Sequence, residues 1–150
     1  MPDASERAAL LAALHASAFD DLPPPWTAAA FAQLLADPGV TLALDPGPAP
    51  RGFALGRRAG PEAEILTLAV HPAARHRGLG LRLLGALEAA LEGVEEVFLE
   101  VAETNAAARA LYARGGYHPV GLRRRYFRRA TGPAVDALVL RKRVRPANFI

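Results

Sequence analysis

RHRGLG, residues 75–80, stands between an apolar run, ILTLAV (65–70), and a leucine-rich stretch, LRLLGALEAAL (81–91). The first run has the length and composition of a strand. The second places Leu84, Leu87 and Leu91 on one helical stripe. A junction that only had to turn would need neither two glycines nor two arginines. The start of a helix carries unpaired N–H groups and a partial positive charge, so a glycine-bearing entry presents backbone donors to an anion with no side chain in the way. Gly78 permits close approach and Gly80 clears the next turn, while Arg75 and Arg77 add positive charge. The same pattern also occurs where a helix and a sheet simply pack closely. It lacks the Lys-Ser or Lys-Thr of a P-loop and the third glycine of the dinucleotide fingerprint.

Working outward, residues 5–18 put Leu10, Leu11, Leu14 and Ala18 on one face of a helix that Asp3 or Ser5 can cap. DLPPPW (21–26) stops it, Thr27 caps a second helix, AAAFAQLLA (28–36), and Asp37-Pro38-Gly39 ends that one. VTLAL (40–44) and RGFALGRR (51–58) read as strands joined by DPGPAP (45–50), and EAEILTLAV (62–70) as a longer strand. After the central helix come a strand, EVFLEVA (96–102), and a glycine-terminated helix, NAAARALYARGG (105–116). Two last strands, YHPVGL (117–122) and DALVLRKRV (136–144), flank an arginine-rich connection. The expected fold class is α/β: a mixed, mostly antiparallel sheet of about six strands flanked by four helices, with one strand–helix–strand crossover at RHRGLG, in a single domain over 1–150.

The 150 residues include no cysteine, which removes disulfides, thiolate metal sites and a cysteine nucleophile. His15, His71, His76 and His118 show no metal-ligand spacing, and the only serines, Ser5 and Ser17, lie in the first helix away from any nucleophile elbow. No metal is expected. The N-terminal stretch is acidic where a secretory signal is basic, and no run reaches the roughly 18 to 20 apolar residues of a membrane span, so a cytoplasmic protein without membrane attachment is expected. The formal net charge is +3, yet from Arg123 onward nine basic residues face one acid, Asp136. That excess is either a solvated hairpin or a surface for an anionic partner such as ribosomal RNA. An RNA role needs salt-sensitive binding through Arg123, Arg124, Arg125, Arg128 and Arg129, with only Tyr126 and Phe127 beside them to stack on bases.

AVHPAARHRGLGLRLLGAL (69–87) resembles the acetyl-CoA signature of the GCN5-related N-acetyltransferase (GNAT) superfamily, an Arg or Gln, two residues, Gly, one residue, then Gly or Ala; Arg75, Gly78 and Gly80 fall at those positions. LEVAETNAAARALYARGGYHPVGLRRRYF (99–127) is similar to the ribosomal-protein-alanine acetyltransferase (RimI-type) subfamily, and the Pro-Trp segment of SAFDDLPPPWTAAAF (17–31) resembles it more weakly. The resemblance implies acetyl-CoA as cosubstrate and a protein N-terminus as acceptor, the N-terminal alanine of a small-subunit ribosomal protein above all. It implies that Leu68, Ala69 and Val70 pair with the pantetheine arm as an added strand would. Arg75, His76, Arg77, Gly78, Leu79, Gly80 and Leu81 hold the pyrophosphate, and Asn105 contacts the pantetheine region. Glu100 matches the general base and Tyr112 the general acid, with Glu64 the rival base kept by other branches. Trp26 and Tyr126 fall where the acceptor is bound. The subfamily opens with a strand before its first helix; here about four residues precede the helical pattern, so that strand is expected to be missing or vestigial.

Physical chemistry constrains these assignments. An α-amino group with a pKa near 7.7 to 8.0 is mostly protonated at pH 7, so transfer from a thioester needs a group to take its proton. Along VFLEV the alternation sets Val97, Leu99 and Val101 on one face and Phe98, Glu100 and Ala102 on the other, which gives Glu100 apolar neighbours and a raised pKa if buried. The opposing reading is that Glu100 faces solvent or pairs with an arginine, and that Tyr112 is core with its phenol on a backbone carbonyl. The expected mechanism is direct attack of the amine in a ternary complex. Two other readings stay open: a small-molecule amine or lysine acetyltransferase on the same scaffold, and a CoA-binding or RNA-associated regulator without turnover. The chain is expected to be a monomer or weak homodimer.

Overall fold

The computed structural model of the chain describes residues 3–19, 25–129 and 131–144. The element order is α1 (Ala4–Ala18), α2 (Ala28–Ala36), β1 (Val40–Leu44), β2 (Gly52–Ala59), β3 (Glu62–Val70), a short 3-10 turn (Pro72–Ala74), α3 (Leu79–Ala90), β4 (Glu96–Ala102), α4 (Ala106–Arg114), β5 (His118–Phe127) and β6 (Val135–Arg143). Among the described residues no strand precedes α1. The helix starts are set by local chemistry: Asp3 accepts the Glu6 N–H, Thr27 the Ala30 N–H and Asn105 the Ala108 N–H. The DLPPPW stop lies largely outside the described residues.

The sheet order is β1-β2-β3-β4-β6-β5, and every neighbouring pair is antiparallel except β3 with β4, the pair joined by the α3 crossover. One correction concerns the arginine-rich connection: β5 runs on to Phe127, so Arg123, Arg124 and Arg125 are strand residues. Leu122 and Arg123 find ladder partners in Leu138 and Ala137, and pairing extends the strand past the turn that composition alone suggests.

Two apolar cores lie on opposite faces of the sheet. On one, Leu79, Leu83, Leu84 and Leu87 of α3 bury against Ala54, Ala63, Ile65, Val97, Leu99, Val101 and Leu140. On the other, Ala8, Leu11 and Leu14 of α1 and Phe31 of α2 pack on Phe53, Leu55 and Ala69. The α1–α2 layer reaches β1 to β3; the corresponding face of β4 to β6 keeps polar groups, Glu96, Glu100, Arg123 and Arg141 among them. A polar clasp closes the α3 side: Tyr117 donates to Glu88 Oε2 at 2.9 Å while Lys142 Nζ donates to Glu88 Oε1 at 2.8 Å, tying α3 to the start of β5 and to β6.

Gly52, opposite Val70 in the ladder, has no room for a side chain: a Cβ there would lie 2.8 Å from the Ala69 carbonyl oxygen and 3.0 Å from Leu83 Cδ1. Gly52→Ala should therefore lower stability by about 1–3 kcal/mol, read as a reduced urea midpoint at unchanged slope. A midpoint equal to that of the parent would show that β2 and α3 can part at this point without cost.

Candidate active site

Parallel strands β3 and β4 pair only from Glu62 to Ile65 with Glu96 to Leu99, although both continue beyond. At the same level the β2 ladder steps from Gly56↔Ile65 to Leu55↔Thr67, leaving Leu66 as the extra residue of a bulge. Beyond it, Leu68, Ala69 and Val70 bond to β2 alone, and their other backbone edge faces the gap toward β4. The side chains of Leu68 and Val70 pack against the α3 core and Ala69 against the α1–α2 core, so these three residues offer backbone rather than side chains to the gap.

The RHRGLG junction lies directly after that edge. His76 and Gly78 both have positive φ, +64° and +79°, and Gly78 is the N-cap of α3 with no side chain bonded to the helix start. A Cβ on Gly78 would meet nothing within 4 Å, so the approach to the free amides is open. A succession of turned N–H groups at a helix start is a site for an anion. Two of the expected roles change. Arg75 donates from Nε to the Val70 carbonyl (3.2 Å) and from Nη2 to the Ala18 carbonyl (3.4 Å), which moors the loop to β3 and α1. A Cβ on Gly80 would sit 3.1 and 3.2 Å from the methyl carbons of Leu111, so this glycine makes room for α4 rather than for a ligand. Leu79 is buried in the core and Leu81 half-buried, leaving only their backbone to the junction; Arg77 is exposed. Asn105 spends its carbonyl oxygen on capping α4.

On the face away from α3, Glu64 and Glu100 line a groove of about 380 Å³ with Arg57, Phe98, Arg123 and Val139. Arg123 Nε lies 3.3 Å from Glu100 Oε2, and Tyr126, beside Arg123, is near enough to influence the carboxylate. The side chain is 16% exposed, and Oε2 is buried with no hydrogen-bond partner, the Arg123 contact being an ion pair without hydrogen-bond geometry. Burial is the largest influence on Glu100 and raises its pKa; Arg123 opposes it, the Glu64 charge adds to it, and Tyr126 opposes it. The arginine partner weighed from sequence is therefore real, and it stands beside a carboxylate that is still pushed toward accepting a proton.

Tyr112 does not join this groove. It is buried on the α3 side, 5.8 Å from the Tyr117 ring, and burial raises its pKa above the usual phenol range. Trp26 lines a separate hollow with Ala30, Gln33, Leu34, Asp37 and Arg57, and Arg57 borders both hollows. The indole also packs: it lies 5.0 Å from the His15 ring in a stacked arrangement, and its backbone N–H donates to His15 Nδ1 at 3.2 Å. Residues 20–24 of the expanded proline loop lie outside the described residues. Sequence reading missed Arg57, because only the register that sets it opposite Glu64 brings it to the groove, and it left Arg123 between a solvated hairpin and an anion-binding surface without singling it out as the partner of Glu100. Among the described residues no group of three metal-ligating side chains comes together, and no helix is long and apolar enough to cross a membrane.

The acetyltransferase (GNAT) family model matches residues 8–117. The chain is 42% identical over 124 residues to the N-alpha-acetyltransferase RimI of Mycobacterium tuberculosis, covering 79% of this chain and 75% of the relative. Its backbone superposes on the crystal structure of the ribosomal-protein-S18-alanine N-acetyltransferase from Escherichia coli with a TM-score of 0.83 at 28% identity, over 94% of this chain and 90% of the other. The fold is also that of Arabidopsis thaliana NAA60 in complex with acetyl-CoA (TM-score 0.75, 20% identity, 95% and 94% covered).

His15 is wholly buried, and burial lowers its pKa to about 4. The unfolded chain takes up this proton first as pH falls, so the contribution of neutral His15 to stability is whole above about pH 6.5 and is lost between there and about pH 4. Its full size is on the order of 2–3 kcal/mol. Urea unfolding, followed by the emission of Trp26, the sole tryptophan, should show a steeper loss in this window for the parent than for His15→Gln; parallel profiles would mean that His15 keeps an ordinary pKa.

Proposed function

The chain belongs to the GNAT family of N-acetyltransferases, and from that premise we propose that it transfers the acetyl group of acetyl-CoA to the N-terminal α-amine of a protein, with the N-terminal alanine of a small-subunit ribosomal protein as the acceptor. The observation that carries the catalytic part is the buried Glu100 Oε2, an acceptor without a hydrogen bond on a carboxylate whose pKa burial has raised. The acceptor rests on the names of the relatives, two of which are alanine- or N-alpha-acetyltransferases of the RimI kind. A ribosomal substrate implies a cytoplasmic setting.

Acetyl-CoA supplies the activated thioester carbonyl. The chain's own contribution starts with the unpaired edge of Leu68 to Val70, which can bond an extended amide-bearing arm as it would a further strand. The amides from Arg75 to Gly80 would hold the pyrophosphate at the end of such an arm, a reading supported by the open space beside Gly78. Glu100 removes the proton from the acceptor ammonium, so that the neutral amine attacks the thioester carbonyl directly. Glu64, across the groove and exposed, can pass that proton on to solvent. Tyr112 is the proposed donor to the departing sulfur, regaining the proton that the attacking nitrogen sheds as the amide forms; burial raises its pKa, so the phenol is a weaker acid than a free one and gives up its proton only to the fully developed thiolate. Trp26 and Tyr126 flank the approach of the acceptor on either side of Arg57 and Arg123.

Mass spectrometry of acetyl incorporation into peptides with free N-terminal Ala, Ser, Met or Gly, an N-blocked lysine peptide and a set of polyamines tests the acceptor. Ala peptides should be labelled preferentially; labelling of lysine or small amines alone would remove the N-terminal reading. Glu100→Gln should lower kcat/KM by about 10²–10³ below pH 8 while acetyl-CoA affinity stays within about twofold. Wild-type rates from pH 6 to 9 would move the base to Glu64 or to water. Gly78→Val, in a left-handed position facing open space, should weaken acetyl-CoA binding by about tenfold or more in calorimetry; unchanged affinity would take the phosphate away from this junction.

A further inference from the structure

A regular strand sends residues three apart to opposite faces. Arg123 and Tyr126 of β5 are three apart, yet they share a face: Arg123 pairs with Glu100, and its guanidinium carbon lies 5.2 Å from the centre of the Tyr126 ring. The alternation is broken between them. Arg123 is opposite Ala137 and Phe127 opposite Val135, so four steps along β5 match two along β6. At the break Arg125 adopts φ +53°, a left-handed conformation that a side chain disfavours. Something must hold it there. Its N–H donates to Asp136 Oδ1 at 2.8 Å, and the Asp136 carbonyl in turn accepts the Glu103 N–H at 2.9 Å, just past the end of β4.

We infer that Asp136 is a positioning residue for proton removal: by accepting the Arg125 N–H it holds the β5 bulge that turns Tyr126 onto the face of Arg123, so that both converge on Glu100. This rests on Glu100 being the base. The charged groups that line the groove with Glu100 are Glu62 and Glu64 from β3, Arg57 and Arg58 from β2 and Arg123 from β5, with Tyr126 beside Arg123; β6 presents Val139. Arg123 and Tyr126 both favour the carboxylate form, whereas burial and Glu64 oppose it. If the bulge relaxes, the two favouring groups leave, and Glu100 holds its proton to higher pH.

The test follows the full-length protein by carbon-13 NMR of its glutamate carboxyl groups and by the pH dependence of kcat/KM with the best acceptor peptide. Asp136→Ala should move the Glu100 titration up by about one unit, carry the acid limb of kcat/KM with it, and so lower kcat/KM up to about tenfold along that limb, the size of one hydrogen bond to a charged group. The KM for acetyl-CoA should stay within about twofold. Asp136→Asn keeps the acceptor oxygen and should restore both profiles, as should Arg125→Gly added to Asp136→Ala, since glycine takes the left-handed conformation freely. An unmoved Glu100 titration in Asp136→Ala would overturn the inference while leaving the proposed base intact. A Glu100 titration that moves while the acid limb does not would overturn Glu100 as base, and with it any claim of Asp136 on the reaction. Should Asp136→Ala not fold, amide exchange in the parent protein decides: Arg125 should exchange many-fold more slowly than an open amide, and exchange at the open rate would overturn the inference.

Discussion

Two parallel strands that pair for four residues and then part govern the rest of this molecule. Each buried N–H and C=O of a sheet interior needs a partner, so a sheet does not open at its centre unless something is built to compensate. Here the opening is prepared from the neighbouring strand: the extra residue Leu66 shifts the β2–β3 register at the level where β3 leaves β4. The helical layers then hold the halves apart, with Leu68 and Val70 drawn into one core and Ala69 into the other. The glycine-bearing start of α3 and the capped start of α4 both come to the mouth of the gap, because each follows directly from one of the parted strands. The proposed cosubstrate site is thus a property of the sheet's topology before it is a property of any side chain.

Glu100, the proposed base, is subject to opposed influences. Burial alone would push the acid form far up and leave little carboxylate at neutral pH; a tight bidentate arginine would do the reverse. Arg123 approaches to 3.3 Å without a hydrogen bond to Oε2, so the charge is moderated and one lone-pair position stays free. Glu64 stands across the groove and is exposed.

The helices, the strands and the crossover were legible because each has a strong local cause: Asp3, Thr27 and Asn105 as caps, alternation in EVFLEVA, leucines at helical spacing after RHRGLG. Gly78 was legible in the same way, since a left-handed turn into a helix asks for glycine. The packing task of Gly80 was not legible because its neighbour, Leu111, is 31 residues away in the chain, and no local pattern reveals a distant side chain at 3.1 Å. Arg57 and Arg123 reach the site only through cross-strand register, which the sequence does not encode locally. The extension of β5 through the arginines was hidden for a related reason: a bulge with a left-handed Arg125 reads as a turn until its partner, Asp136, is known.

The clasp of Glu88 with Tyr117 and Lys142 has a chemical corollary. Lys142 is the only lysine in the sequence, against 18 lysine and arginine residues in all. Its ammonium group is engaged by Glu88 at 2.8 Å. Guanidinium groups keep their protons at any physiological pH and are poor nucleophiles. Toward the proposed acyl thioester the protein therefore presents positive groups that almost wholly do not acylate, and self-modification at an internal amine is discouraged by composition and by one ion pair.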